Sequence, residues 1–324
     1  MYKPREYNVD LQKSPKYRWD GMLSDQWAVD AAHKIAHTIS DSFPDILKLA
    51  FNAAKSIAPL LFNMKIGDQF GYATEMNQWS KYSIGDRNLT IAANLSYEIM
   101  GCSSVSMMVP KLGMVHARNL DWPLPIMRKY TTLVHFIGSD AGSFTSVCVP
   151  GMVGMISGVA KGRFSAAINQ SPNSILDRNL TGWAAPFLLR RVFETCNTFD
   201  EAVNMLGESK VITPAFIHIT GIENHESAVI ELKTTNSNNI YYINGEPLVI
   251  TNHFIADDNP GVYDDEQCSQ IRSDTLFESA VKCKAKILSG VANILQKYPV
   301  MNIATEQSMV FHPETGNVFL NDCR

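Results

Sequence analysis

Seven apolar runs crowd the middle of this sequence, at residues 90–97, 103–109, 114–119, 131–138, 144–149, 153–159 and 164–169, and many are near-continuous rather than alternating. A β-branched run without a polar residue at every second place reads as a strand covered on both faces. Sheets of that kind need a layer on each side, which confines the chain to a layered fold. Helical spacing follows over 184–196 and 198–209, the second stretch opened by a cap in Thr198-Phe199-Asp200-Glu201. Strands return at 215–220, 228–232, 239–243 and 248–251, and a helix over 273–297 precedes closing strands at 308–312 and 317–321. Strands, then helices, then strands again predict an α+β body with helices packed outside its sheets.

The first hundred residues have a different texture. After an extended stretch over 7–19, the segment 25–65 spaces Trp27, Ala31, Ile35, Ile39, Ile46, Leu49, Ala53 and Ile57 at helical intervals. Pro44 and Pro59 divide it into two or three helices. A face of Leu47, Ala50, Phe51, Ala54 and Leu61 is apolar enough to pack on a core or, if exposed, to lie on lipid as a peripheral membrane contact. No repeat, low-complexity tract or linker marks a domain boundary.

With 324 residues the chain can bury a large core, and a net charge of -4 with 19% charged residues argues against nucleic acid as a partner. The start, Met1-Tyr2-Lys3-Pro4-Arg5-Glu6, lacks the apolar run of a secretory signal. As written the chain reads as cytoplasmic, or as secreted or lysosome-like if a leader was trimmed. Sequons at Asn88, Asn94, Asn169 and Asn179 would be acceptors only in the latter case. Six cysteines, at 102, 148, 196, 268, 283 and 323, show no CxxC pair and no dense framework, so neither a metal site nor a disulfide scaffold is expected, and no cofactor is called for. One thiol is left free for chemistry.

Cys102 stands in Met100-Gly101-Cys102-Ser103-Ser104, with Arg118 and Asp121 following in His116-Ala117-Arg118-Asn119-Leu120-Asp121-Trp122. A thiol with a pKa of about 8.5 is mostly protonated at neutral pH and needs help to attack. Cleavage of the Gly101–Cys102 bond would give Cys102 an α-amine of pKa about 8, close enough to act as its own base. Glycine suits such a cut because it can take up strained backbone. Arg118 could then stabilise the thiolate or a substrate carbonyl, and Asp121 could hold the α-ammonium. Taken singly, Cys102 fits a small buried hydrophobe and Arg118 with Asp121 fits an ion pair at a strand end. Their joint placement points to catalysis. His116 is read as a packing or hydrogen-bonding residue, since the α-amine makes a histidine base unnecessary.

The Gly-Cys-Ser-Ser start, the spacing to Arg118 and Asp121 and the Ala117-Arg118-Asn119-Leu120-Asp121 phrase resemble the N-terminal nucleophile (Ntn) hydrolases of the choloylglycine hydrolase and acid ceramidase superfamily. Within it, Tyr7-Asn8-Val9-Asp10-Leu11, Arg18-Trp19 and Leu95-Ser96-Tyr97-Glu98 are similar to the branch of acid ceramidase and N-acylethanolamine-hydrolysing acid amidase. The resemblance implies an αββα four-layer sandwich, with residues 1–101 as a helical first subunit and 102–324 as the catalytic second one. It also implies oxyanion-hole residues at Asn169, in Phe164-Ser165-Ala166-Ala167-Ile168-Asn169, and at Asn252, in Thr251-Asn252-His253, and a late arginine at Arg272. Read without the resemblance, both asparagines also fit turns after strands and Arg272 a helix surface. One position departs from the branch: Gln170 stands where a glutamate is usual, which implies slower or less acid-dependent self-cleavage.

The expected activity is that of a zymogen-like amidase. Cys102 would cut its own chain after Gly101 and then hydrolyse a small-molecule N-acyl amide, with an aliphatic acyl chain, through an acyl-thioester. Trp122, Met152 and Trp183 are candidate pocket residues. Rival readings are an acyltransferase similar to isopenicillin N acyltransferase, a papain-like thiol hydrolase using a Cys-His pair, and a non-enzymatic lipid-binding relative.

Overall fold

The computed structural model describes residues 3–42, 68–95, 101–122, 126–172, 177–179, 181–235, 237–255 and 268–323. Within them two sheets carry the architecture. Eight strands, β1 (Arg5–Asp10), β4 (Thr132–Ile137), β5 (Phe144–Cys148), β6 (Ser157–Ala160), β7 (Phe164–Gln170), β8 (Ala215–Thr220), β9 (Ser227–Leu232) and β10 (Asn239–Tyr242), lie side by side in that order. The second sheet has the order β11 (Leu248–Ile250), β2 (Gly101–Val109), β3 (Gly113–Asp121), β12 (Thr305–His312) and β13 (Asn317–Asn321). All pairings are antiparallel except β1 with β4.

The sheets face each other. Val147 and Val159 of the first meet Met309, Phe311 and Leu320 of the second, and Phe216 and Val229 meet Ile250. On the outer side of the eight-stranded sheet pack α1 (Gln26–Ser42), α2 (Tyr72–Trp79), α3 (Arg87–Leu95), α4 (Ala185–Thr195) and α5 (Phe199–Gly207). The outer side of the five-stranded sheet is covered by α6 (Ser269–Val281) and the short turns over 288–296, through Leu276, Val291 and Leu295 against Val105, Val115 and Val310. This is the expected αββα sandwich. Strands with neighbours on both faces have no need of alternating polarity, hence their continuous apolar runs.

The first hundred residues are built into this body. β1 adds an edge strand to the sheet, with Tyr7 opposite Val134. Behind it, fully buried Glu75 of α2 accepts from Trp19 Nε1 at 2.7 Å, from Arg18 at 2.8 Å and from both Nη groups of Arg190 at 2.6 and 2.9 Å. Arg190 Nε reaches Glu194, which also accepts from Tyr72. Removing one partner from such a cluster leaves an unpaired buried charge, worth about 3–5 kcal/mol of destabilisation. Asn94 of α3 ties to the far side as well, donating to Gly151 O and accepting from Val153 N.

Three expectations are corrected. Residues 90–95 are not strand but the end of α3: Asp86 caps it, accepting from Leu89 N at 3.0 Å, and Thr90 returns its hydroxyl to Asp86 O. The helix over 273–297 starts at Ser269, stops at Val281 and resumes only at Leu288. Lys282 and Lys286 stand at i and i+4, a like-charge repulsion on a continued helix. Residues 153–156 are irregular because their amides are taken elsewhere, Val153 N by Asn94 and Met155 N by Pro186 O. Helices near and beyond Pro44, with the face of Leu47 to Leu61, fall outside the described residues.

Between the sheets runs a buried polar row. Ser165 Oγ meets His116 Nδ1 at 3.1 Å, His116 Nε2 meets Ser104 Oγ at 2.8 Å, Ser104 meets His218 Nδ1 at 2.9 Å and His218 Nε2 meets Ser106 at 2.9 Å. Two proton orderings satisfy this row, one the reverse of the other, and both keep each imidazole neutral. Burial pushes the His116 pKa well below its usual value, helped by His218 and Arg118, and holds His218 at about 3. The unfolded chain, with ordinary histidines near pH 6.5, therefore binds more protons at lower pH. Stability is expected to be fully present above about pH 6.5 and to fall as pH drops toward 3, by up to about 1.4 kcal/mol per pH unit for each imidazole. Urea midpoints measured across this range check the slope, and His218→Asn should flatten it.

Candidate active site

The site grows from the hairpin of β2 and β3. Its register sets Gly101 opposite Asp121, Cys102 opposite Leu120 and Ser104 opposite Arg118. Side chains alternate along a strand, so Cys102, Ser104, His116 and Arg118 point toward the eight-stranded sheet. Ser103 and Asp121 point toward α6, on the face where Gly101 leaves room.

On the inner face Cys102 is fully buried, and Arg118 Nη2 donates to its Sγ at 3.0 Å. The same guanidinium is fixed by Ile168 O at 2.7 Å, by Ile156 O at 3.0 Å and by the Ser157 hydroxyl. Burial pushes the Cys102 thiol up; the charge and hydrogen bond of Arg118 and the charge of Arg272 pull it down, while Asp121 pushes it up. In the uncut chain, then, Cys102 is a thiol rather than a thiolate.

On the outer face the Cys102 peptide is held at both ends. Its N–H donates to Asn252 Oδ1 at 2.9 Å, and its carbonyl accepts from Arg272 Nη1 at 2.6 Å. Arg272, in the first turn of α6, also reaches Ser103 Oγ at 2.9 Å and Asn252 Oδ1 at 2.7 Å, and lies 3.7 Å from Asp121 Oδ2. Asn252 Nδ2 is bonded to Gln170 O, and its backbone N to Ser269 Oγ. Asp121 accepts from Thr305 Oγ1 at 2.6 Å and Asn302 Nδ2 at 3.1 Å. Burial raises its pKa, and Thr305, Arg272, Asn302 and Arg118 oppose that rise. Space at Gly101 is tight, since a Cβ at this position would sit 3.2 Å from Asp121 Cβ and in contact with its carboxylate.

Cys102, Arg118, Asp121, Asn252 and Arg272 thus form one connected cluster. Asn169 lies on β7, one residue past Ile168, but its side chain is oriented differently from the expectation. Both of its N–H groups are spent on carbonyls of the edge strand, Ile250 O at 3.1 Å and Thr251 O at 3.0 Å. That side chain stitches β11 to the opposite sheet and has no hydrogen left for an oxyanion. Asn252 keeps one. Trp122 and Met152 line a shallow apolar depression of about 20 Å³, room for about one water, together with Ala32, Ala36 and Ile39 of α1. Trp183 is elsewhere, stacked on Phe70 at 5.7 Å. His116 makes no bond to Cys102 and belongs to the polar row. Ser157, Ser269, Asn302 and Thr305 were not singled out by sequence, because each reaches the site only through strand pairing or a distant turn.

Residues 110–287 match the family described as acyl-coenzyme A:6-aminopenicillanic acid acyl-transferase. An N-acylethanolamine-hydrolyzing acid amidase of Caenorhabditis elegans is 24% identical over 261 residues, 75% of this chain and 71% of that protein. An acid ceramidase of Heterocephalus glaber is 23% identical over 294 residues, 81% of this chain and 72% of its own. Among solved structures, the Caenorhabditis elegans N-acylethanolamine-hydrolyzing acid amidase ortholog superposes with a TM-score of 0.54 at 20% identity, covering 68% of this chain and all (100%) of the other. That likeness shows a shared fold.

Asn252→Ala would strip Cys102 N and Arg272 of their common acceptor. The variant is expected to lose about 1.5–3 kcal/mol of stability, as for a hydrogen bond to a charged group, read from its denaturation midpoint.

Proposed function

Because this chain belongs to the acyl-coenzyme A:6-aminopenicillanic acid acyl-transferase family, we propose that it is a self-activated cysteine amidase, of the Ntn-hydrolase class, that cleaves linear fatty-acyl amides. It is an amide-bond hydrolase, as its acid amidase and acid ceramidase relatives are by name. The observation that carries the finer reading is the seating of Cys102. Sγ is met by Arg118, the carbonyl by Arg272, and the nitrogen that would become the α-amine rests on Asn252 Oδ1 at 2.9 Å.

In the first step Cys102 Sγ attacks the Gly101 carbonyl carbon, the Gly101–Cys102 C–N bond breaks, and the departing nitrogen takes up a proton. Water then hydrolyses the Gly101 thioester, separating residues 1–101 from 102–324 and leaving Cys102 with a free thiol and α-amine. The amine lies among Arg118 and Arg272, whose positive charges favour its neutral, proton-accepting form. It takes the thiol proton as Sγ attacks the substrate carbonyl. The ammonium formed, facing Asp121, gives that proton to the leaving amine, and water releases the acid from the acyl-thioester. Asn252 and the cationic wall of Arg118 and Arg272 are the groups available to the oxyanion.

The two pieces remain associated through β1 in the sheet and the Glu75–Arg190 cluster. The acyl chain is assigned to the apolar surface of Trp122, Met152 and α1, which has to open beyond its present small depression to admit it. A second reading, favoured by the family's description, sends the acyl group to an amine instead of water. Both share the thioester, and added amine acceptors separate them by product.

Purified wild-type chain is expected to yield fragments that meet at residue 102, read by intact mass, and to release fatty acid from an N-acylethanolamine. Cys102→Ala should stay whole and inactive. A Cys102→Ala chain that is cut or active would overturn the reading. Ala36→Phe, filling the depression, should weaken long acyl chains by about fourfold for each methylene excluded while sparing short ones, seen as KM against chain length.

A further inference from the structure

β12 leaves its register once. From His116 with Phe311 to Leu120 with Gln307 it pairs with β3 residue for residue, but the next partner of Asp121 is Thr305, so Glu306 is an extra residue. A regular ladder would set Glu306 opposite Asp121, two carboxylates face to face in a buried place. The bulge sends Glu306 to Arg128 instead, where Oε2 accepts from the backbone N at 2.9 Å and Oε1 lies 3.6 Å from Nη2. The place beside Asp121 goes to a hydroxyl: Thr305 Oγ1 donates to Oδ1 at 2.6 Å. Asn302 Nδ2 donates to Oδ2 at 3.1 Å. These two residues form one closed turn, in which Asn302 N donates to Thr305 Oγ1 at 3.0 Å and Thr305 N to Asn302 O at 3.1 Å.

We infer that the Glu306 bulge, with Thr305 and Asn302, is a positioning device that holds the Asp121 carboxylate in one plane beside Gly101, its partner across the hairpin, and so next to the Gly101–Cys102 bond. Neither residue touches the reacting atoms; each acts through Asp121. The inference rests on the reading of Asp121 as the anchor of the Cys102 α-ammonium. A carboxylate turns freely about its last bond, and one donor on each oxygen removes that freedom. The charged and titratable groups around it are Cys102 on β2, Arg118 on β3, Arg272 on α6 and Cys323 near the end of the chain. Thr305 is the strongest of the contacts that oppose the effect of burial on this carboxyl. Without the hydroxyl, Asp121 would take a proton at higher pH and lose its hold on the ammonium there.

The test measures kcat/KM against pH, and self-cleavage by intact mass, for wild type, Thr305→Val, Thr305→Ser, Asn302→Ala and Cys102→Ala. Thr305→Val is expected to lose about tenfold or more in kcat/KM with KM little changed, the loss of one hydrogen bond to a charged group. Its acidic limb should move to higher pH, and Thr305→Ser should restore the wild-type limb. If Thr305→Val does not fold, Asn302→Ala carries the test, with a limb displaced in the same direction. Unchanged limbs in folded Thr305→Val or Asn302→Ala, beside an inactive Cys102→Ala, would sink the device and leave the cysteine reading intact. An active Cys102→Ala would bring down both.

Discussion

The arrangement depends on the register of one hairpin. Strand side chains alternate, so pairing Gly101 with Asp121 sends Cys102 and Arg118 to the inner face and Asp121 to the outer one. A slip by one residue would bring Cys102 and Asp121 to the same face, so that one of the two left its place. Once the register is set, the peptide of Cys102 lies between an inner cation on Sγ and an outer cation on the carbonyl. Arg118 and Arg272 thus bracket the same residue from opposite sides of a single strand.

The burial of so many polar groups is tolerable because each finds partners supplied by distant parts of the chain. Arg118 draws acceptors from β6 and β7, Arg272 from β2 and the end of β11, and Glu75 collects donors from Arg18, Trp19 and Arg190. Desolvated charges of this kind contribute little net stability, yet each is costly to leave alone. They bind the fold to one arrangement, since a shifted strand would strand several charges at once.

Much of this was legible from residues alone. The strands over 103–109, 114–119, 164–169 and 215–220 form where the sequence reading sets them, and Thr198 caps its helix as its pattern predicts, accepting from Glu201 N at 3.2 Å. The resemblance placed Asn252 and Arg272 beside Cys102. What escaped has physical causes. Thr90 and Ile91 look like strand residues, but Asp86 nucleates a helix before them. Asn169 was expected to present its amide to substrate, and the unpaired carbonyls of a three-residue edge strand claim it first. Trp183 stacks on Phe70 and does not line the depression of Trp122 and Met152, because aromatic type says nothing of place. The bulge at Glu306 is invisible in sequence, where Thr305 and Glu306 are simply neighbours.

β1 has a consequence for the order of events in the life of the chain. It is made well before its partner, since it pairs in parallel with β4, over a hundred positions later, and closes what would be a bare sheet edge. Parallel pairing at such separation is late and slow to form. A cut after Gly101 that ran ahead of it would free a piece without its tether in the sheet and leave β4 open to other chains. A cut that waits for the hairpin register, and so for the completed sandwich, makes scission a record that folding has finished.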